Sequence, residues 1–363
     1  MARSFQHNDA LAEEVFAVTR TTLPLVACLA LLALATLPLG GCTCGFDCSS
    51  DDDDDNSPAL LSLGVSDALP EDLSEVFIQV ESITLRGTQG DVTVDTFSVD
   101  ELDAVDEPYI RVDLLDYPGL QQLIVFSDQA VEPGRYSELF LEISASDFND
   151  STVLERDSGA TKRLRVDGDG LTLPGMTLAG GEDATYTVEF ELARALSYVE
   201  DDDSYLLSEE GIRVVNNSDS ASLVGTVDEA LFDASPDCDG KSEPTEGNRV
   251  YLYQGHDLDA QDLADVFNDD SSTSVPEGAL APFAVDTVRE NAGRGTWEYY
   301  FGFLPAGDYT LAFTCDSAGD EAQDYDGLDI PLPTGQRYQV SLSAGTQTDC
   351  DLVSDLDSED DSC

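Results

Sequence analysis

With 75 acidic residues against 16 basic ones in 363, the chain carries a formal net charge of -59. That balance excludes DNA and RNA as partners, because binding them requires clustered Lys and Arg that displace counterions. A hydrophobic content of 41%, with 13 Tyr, 15 Phe and 28 Gly, excludes wholesale disorder, and the length calls for two domains of about 100–200 residues each.

No charged residue occurs from Thr21 to Phe46, and Leu23 to Leu39 is apolar throughout. Such a run reads as a signal-peptide core or a transmembrane helix. Pro38, Gly40 and Gly41 disfavour a continuous helix. Leu39-Gly40-Gly41-Cys42 resembles the bacterial lipobox, which is a branched apolar residue, two small residues and a cysteine. The resemblance implies that residues 1–41 are a lipoprotein signal peptide and that the Cys42 thiol accepts lipid, anchoring the mature chain to a membrane. The segment before the apolar run is long and carries Asp9, Glu13 and Glu14, which fits a start codon downstream of Met1. By analogy with enteric lipoproteins, Thr43 in place of an Asp favours the outer membrane, on its periplasmic or surface-exposed side. Ser49 to Pro58 (SSDDDDDNSP) repels itself, so residues 42–58 are expected to form an acidic flexible tether.

Beyond Pro58 the dominant pattern has period two, which predicts strands with one buried and one wet face. Val76, Ile78 and Val80 alternate with Glu75, Gln79 and Glu81, and the apolar phase then slips to Ile83 and Leu85, predicting a β-bulge near Ser82. Leu139, Leu141 and Ile143 alternate with Glu138 and Glu142. Tyr186, Val188, Phe190 and Leu192 alternate with Thr185, Thr187, Glu189 and Glu191, which are expected on the wet side. Asn216 to Ser220 (NNSDS) is a turn-rich joint. After it come SLVGTV from Ser222, RVYLYQG from Arg249, TWEYYFGFL from Thr296, DYTLAFTC from Asp308 and RYQVSLSAG from Arg337. Leu263, Val266 and Phe267 sit at helix-like offsets, predicting one short helix within Leu258–Phe267.

This is the pattern of an all-β protein, with two antiparallel immunoglobulin-like or prealbumin-like β-sandwich domains after a lipoprotein signal peptide. The expected domains are 59–217 and 218–352, followed by an acidic tail over 353–363. Two local phrases recur, Glu132-Pro133-Gly134-Arg135-Tyr136 and Leu304-Pro305-Ala306-Gly307-Asp308-Tyr309. In each, Pro and Gly make a turn and the Tyr enters the next strand facing the core, its hydroxyl able to reach turn backbone.

Of 8 cysteines, Cys28 would leave with the signal and Cys42 would take lipid. Cys44, Cys48, Cys238, Cys315, Cys350 and Cys363 remain, an even set in an oxidising compartment, and disulfides are expected. The pairing favoured is Cys238 with Cys315, Cys44 with Cys48 and Cys350 with Cys363, although spacing alone does not select it.

In order along the chain, Ser66-Asp67-Ala68, the strand from Val76 to Leu85, Val112-Asp113-Leu114-Leu115 and Pro133-Gly134-x-Tyr136 resemble a bacterial lipoprotein family known as domain of unknown function forty-three eighty-two. The likeness covers residues 59–215 and begins within Leu61 to Arg86 (LSLGVSDALPEDLSEVFIQVESITLR). It implies an all-β extracytoplasmic module, often followed by a second β domain, and it implies no activity.

His256 is the one histidine beyond Cys42, in a polar loop beside Asp257 and Asp259, and no G-x-S-x-G, HExxH or Gly-rich phosphate motif accompanies it. Catalytic residues are therefore expected to be none. Asp167-Gly168-Asp169-Gly170, Asp237-Cys238-Asp239-Gly240 and Asp324-Tyr325-Asp326-Gly327 resemble the beginnings of calcium loops, without the downstream Glu of an EF-hand. They also read as plain Asp-Gly turns. Calcium is thus the one cofactor suggested, with Asp167, Asp169, Asp324 and Asp326 as its candidate ligands. The leading function is non-catalytic binding or adhesion, with a glycan, protein or matrix ligand. The alternatives are a purely structural envelope component and an unrecognised hydrolase. Trp297, Tyr299, Tyr251 and Tyr253 favour a glycan if they line an exposed face.

Overall fold

The computed structural model describes residues 57–68, 73–145, 147–239, 241, 243–267, 275–320, 324–354 and 361–363. The lipobox Leu39-Gly40-Gly41, Cys42, Cys44, Cys48, most of the tether and most of the acidic tail lie outside them. Among the described residues no helix is long and apolar enough to cross a membrane.

The first sandwich stacks two sheets. One orders the strands Ile212–Asn216, Asp183–Glu191, Ala59–Ala68 and Leu123–Val131. The other is larger and centres on the long strand Leu73–Gly87, which pairs along one edge with Gly134–Ser144 and then Thr152–Glu155, and along the other edge with Ile110–Asp113 and Val92–Val94. Alternation drives the arrangement: Val76, Ile78, Val80, Leu139, Leu141 and Ile143 turn into one continuous apolar core that runs from Ala59 to Ile212. The bulge falls where the phase slip puts it. Val80 pairs with Ile143 but Ser82 pairs with Glu142, and the shifted residue lets Ile83 and Leu85 re-enter the core.

A turn follows the Ile212–Asn216 strand, held by the Asn216 side chain accepting from the Ser218 N–H at 2.9 Å. Beyond it the apolar residues gather in separate clusters. One sheet carries Ser220–Val227, Thr296–Pro305, Arg289–Asn291 and Gln347–Asp349. Its partner carries Ala284–Thr287, Arg249–Gln254, Gly307–Thr314, Arg337–Leu342 and Asp361–Ser362. The core between them holds Leu223, Leu252, Phe301, Leu311, Phe313 and Val340.

Both recurring phrases make the same hydrogen bond. Tyr136 donates from its hydroxyl to the Glu132 carbonyl at 2.9 Å, and Tyr309 to the Pro305 carbonyl at 2.8 Å, each four residues back. Each buried ring thus pins the turn that feeds its strand. Tyr136→Phe and Tyr309→Phe should each lower stability by about 1 kcal/mol, the net value of a typical hydrogen bond, read from the denaturant midpoint. Unchanged midpoints would show that water replaces the hydroxyl at no cost.

One expectation needs correction. The segment Leu258–Phe267 forms a single 3-10 turn at Ala260–Asp262, with no α-helix. Its backbone instead pairs with Leu280, whose N–H donates to the Asp262 carbonyl and whose carbonyl accepts from the Ala264 N–H. Leu263, Val266 and Phe267 are buried, and Leu263 and Phe267 cover the outer face of the Tyr251–Tyr253 strand, so apolar spacing of three and four reflects a lid over a sheet. The antiparallel sandwiches expected from the sequence also contain parallel pairs. Most pairings are antiparallel, yet Ala59–Ala68 runs parallel to Asp183–Glu191, and Ser220–Val227 runs parallel to Gln347–Asp349. Parallel pairs in sheets are characteristically covered on both faces, and the first of them is so covered from Gly64 and Thr187 onward, while Leu60 and Asp183 at its start are exposed.

Candidate functional site at the junction of the sandwiches

The Asp183–Glu191 strand is flanked on both edges, so its backbone is fully paired. Tyr186, Val188 and Phe190 face the first core as expected. The opposite face, predicted to be wet, is buried toward its C-terminal end, where the Thr187 hydroxyl bonds to Gln122 and Asn217 and where Val285 and Asp286 of the second sandwich approach Glu191. Thr187 is fully buried, Glu189 is 2% exposed and Glu191 1%. In register across three strands, Ser66 stands beside Glu189 and Glu189 opposite Arg213. The Arg213 guanidinium lies 4.9 Å from the centre of the Phe283 ring, which belongs to the second sandwich.

Burial dominates the electrostatics here. It pushes the Glu189 carboxyl up to about 7, against the pull of Arg213 and the Ser66 hydroxyl. It pushes Glu191 up to about 8, with Arg213 and the Val285 N–H opposing and the Glu189 and Asp286 charges assisting. Asp286, from the Ala284–Thr287 strand, is also raised by burial, although Arg289 donates to its Oδ1 at 2.8 Å and the Tyr300 N–H to its Oδ2 at 2.8 Å. Glu189 Oε2 and both Glu191 carboxylate oxygens are buried without a completed hydrogen bond.

Glycines set the approach distance. Gly119 has φ +62°, and a Cβ there would meet the Tyr300 Cβ at 2.9 Å; a Cβ on Gly302 would strike the Gly119 carbonyl. Beside this contact a cleft of about 380 Å³ is lined by Pro118, Leu120, Gln121, Asp286, Arg289 and Tyr300. Sequence reading missed Glu189, Glu191, Arg213 and Asp286. The one available hint was Arg213 set between Ile212 and Val214, a charge inside an apolar strand of a chain with few basic residues.

The residues singled out from sequence are scattered. Asp167 and Asp169 occupy an exposed turn between the Thr161–Val166 and Gly170–Pro174 strands. Asp324 is half-buried and Asp326 exposed, in a loop far along the chain. Among the described residues no three His, Cys, Asp or Glu side chains are grouped to hold a metal. Cys238 is joined to Cys315 and Cys350 to Cys363. Tyr251, Tyr253 and Tyr299 are fully buried and Trp297 packs edge-on against Phe232, so these aromatics form no sugar-stacking face.

His256 is half-buried, less exposed than its polar loop implied, and it stands near Ser341 and Asp308. The hydrogens do not run as a catalytic triad requires. Nε2 lies 3.0 Å from the Val340 carbonyl, which can only accept, so Nε2 must carry the proton. The same nitrogen is the one facing Ser341, whose hydroxyl donates to Asp308 at 2.8 Å. With its serine-facing nitrogen protonated, His256 cannot take the Ser341 proton.

Fold and junction together define an all-β protein of paired sandwiches. Residues 58–208 match the family described as "Domain of unknown function (DUF4382)". No curated protein matches the chain. Several solved structures are similar at low levels, among them the following three. The Bacillus anthracis TIE protein is 10% identical with a TM-score of 0.18, and the match covers 82% of this chain and 34% of that one. A fimbrial protein from Bacteroides ovatus is 9% identical with a TM-score of 0.17, covering 85% and 50%. The minor pilin of Streptococcus agalactiae is 10% identical with a TM-score of 0.15, covering 83% and 95%. The chain spans about a third of the length of the first of these, and scores this low do not establish a shared fold.

Proposed function

We propose that this chain is an extracytoplasmic lipoprotein, held at a membrane by lipid on Cys42, whose two sandwiches bind a partner and catalyse nothing. The observation that carries the non-catalytic reading is the donor pattern at His256, which leaves the one histidine beyond the lipobox unable to serve as a base toward Ser341. The two disulfides support an oxidising, extracytoplasmic destination. Burial of Tyr251, Tyr253 and Tyr299 withdraws those rings as a platform on which a sugar would stack, which favours a protein or matrix surface as the ligand.

Expression of the full chain in a diderm bacterium fed an alkyne-tagged fatty acid tests the anchor. Wild-type chain should take up the tag and run at the size of a product cut before Cys42, whereas Cys42→Ser should stay untagged and at precursor size. Equal tagging of both would end the anchoring reading. Hydrolysis of ester, peptide or glycoside substrates that vanishes in His256→Ala would end the non-catalytic one.

A further inference from the structure

The junction between the sandwiches holds Glu189 and Glu191 almost wholly buried in a strongly acidic chain. We infer that this junction is a pH-responsive coupling, closed when Glu189 and Glu191 hold protons and loosened when both ionise. Three features of the geometry carry it. The two carboxyls sit two residues apart on one strand, pointing to the same side and almost wholly buried, with Val285 and Asp286 of the second sandwich against Glu191 and with Arg213, which lies over Phe283, against Glu189. Three of their four oxygens lack a completed hydrogen bond. The charges that reach them do not balance: Glu189, Glu191 and Asp286 set three negative charges against Arg213 and Arg289, and Arg289 is already engaged by Asp286.

The groups around the pair come from every element packed there. Arg213 lies on the Ile212–Asn216 strand and is shared between both glutamates and the Phe283 ring. Arg194 follows on the helical turn Leu192–Ala195, against Gly211. Asp286 projects from the Ala284–Thr287 strand, and Tyr309, within the field of Arg213, directs its hydroxyl to the Pro305 carbonyl. One guanidinium can offset one carboxylate, so ionisation of the second leaves an uncompensated buried charge, and opening the junction to water is the available relief.

The sign follows from linkage. Both carboxyls are raised from 4.5, to about 7 and about 8, so the closed junction binds more protons than the open one between those values. Closure is therefore fully favoured below pH 4.5 and weakens as pH rises through 7 and 8. The response straddles neutrality, where an envelope protein exposed to its surroundings would experience it.

Hydrogen exchange of the full chain in detergent, at high salt and at pH 6 and pH 9 after correction for intrinsic rates, tests the inference. Amides of Asp183–Glu191, Ile212–Asn216 and Ala284–Thr287 should lose protection at pH 9 by about tenfold or more, one pKa unit being a factor of ten. Those of Gly134–Ser144, remote in the other sheet of the first sandwich, should hold. In Glu189→Gln/Glu191→Gln the junction amides should stay protected at both pH values. Glu191→Gln alone gives a reduced version of the same result should the double variant fold poorly. Equal protection of the wild-type junction at both pH values would overturn the coupling, as would the same loss in wild type and variant.

Discussion

Replacing Cys238 and Cys315 together with alanine is expected to lower the stability of the second sandwich by about 4.5 kcal/mol, the loop-closure value for a cross-link of this span. The bond joins residues 77 apart, tying the 3-10 turn Pro236–Cys238 to the end of the Gly307–Thr314 strand. Without it the unfolded chain regains the freedom of that whole loop, while the native core loses little, since both side chains are already buried. Denaturation of the wild type with and without reductant, beside the double alanine chain, measures the effect. A change under about 1 kcal/mol would show that the unfolded state is already restricted by other means. The Cys350–Cys363 bond closes only 13 residues and should contribute less by the same reasoning.

Breaking the buried ion pair of the second sandwich should be nearly as costly. Arg249 and Asp320 have side chains 11% and 2% exposed, and the same Asp320 oxygen accepts from the Tyr251 hydroxyl at 2.8 Å. Arg249→Met leaves a buried carboxylate with Tyr251 as its remaining donor, at an expected cost of about 3–5 kcal/mol near pH 8. The cost depends on pH in a definite direction. Burial raises Asp320 from 3.8 to about 6 even with Arg249 lowering it, so the native form binds a proton more readily than the unfolded chain. Its contribution to stability is therefore full below 3.8 and declines as pH rises through 6. Loss of Arg249 raises the carboxyl further, so the variant's deficit should shrink toward pH 4 and widen toward pH 8. Asp320→Asn added to Arg249→Met should recover most of it. A deficit independent of pH, unrelieved by Asn, would assign the loss to packing of the arginine stem.

The strands and their inward faces are legible in the order of the residues. Period-two alternation put Val76, Ile78 and Val80 inside, the phase slip located the bulge at Ser82, and the Pro-Gly-Tyr phrases anticipated the hydroxyl bonds of Tyr136 and Tyr309. These are local matters, set by backbone geometry and the burial of one face. Which outer faces stay wet is not local. Glu189 and Glu191 occupy the polar phase of a normal alternation, and Tyr251 and Tyr253 lie on a strand whose both faces are buried, because a second sandwich covers one surface and a loop the other. The Leu258–Phe267 segment misled for the same reason, its apolar residues marking a cover and no helix. Tertiary structure decided these cases because desolvation comes from whatever packs on top, and Val285 and Asp286, which approach Glu191, are nearly a hundred positions away in the chain.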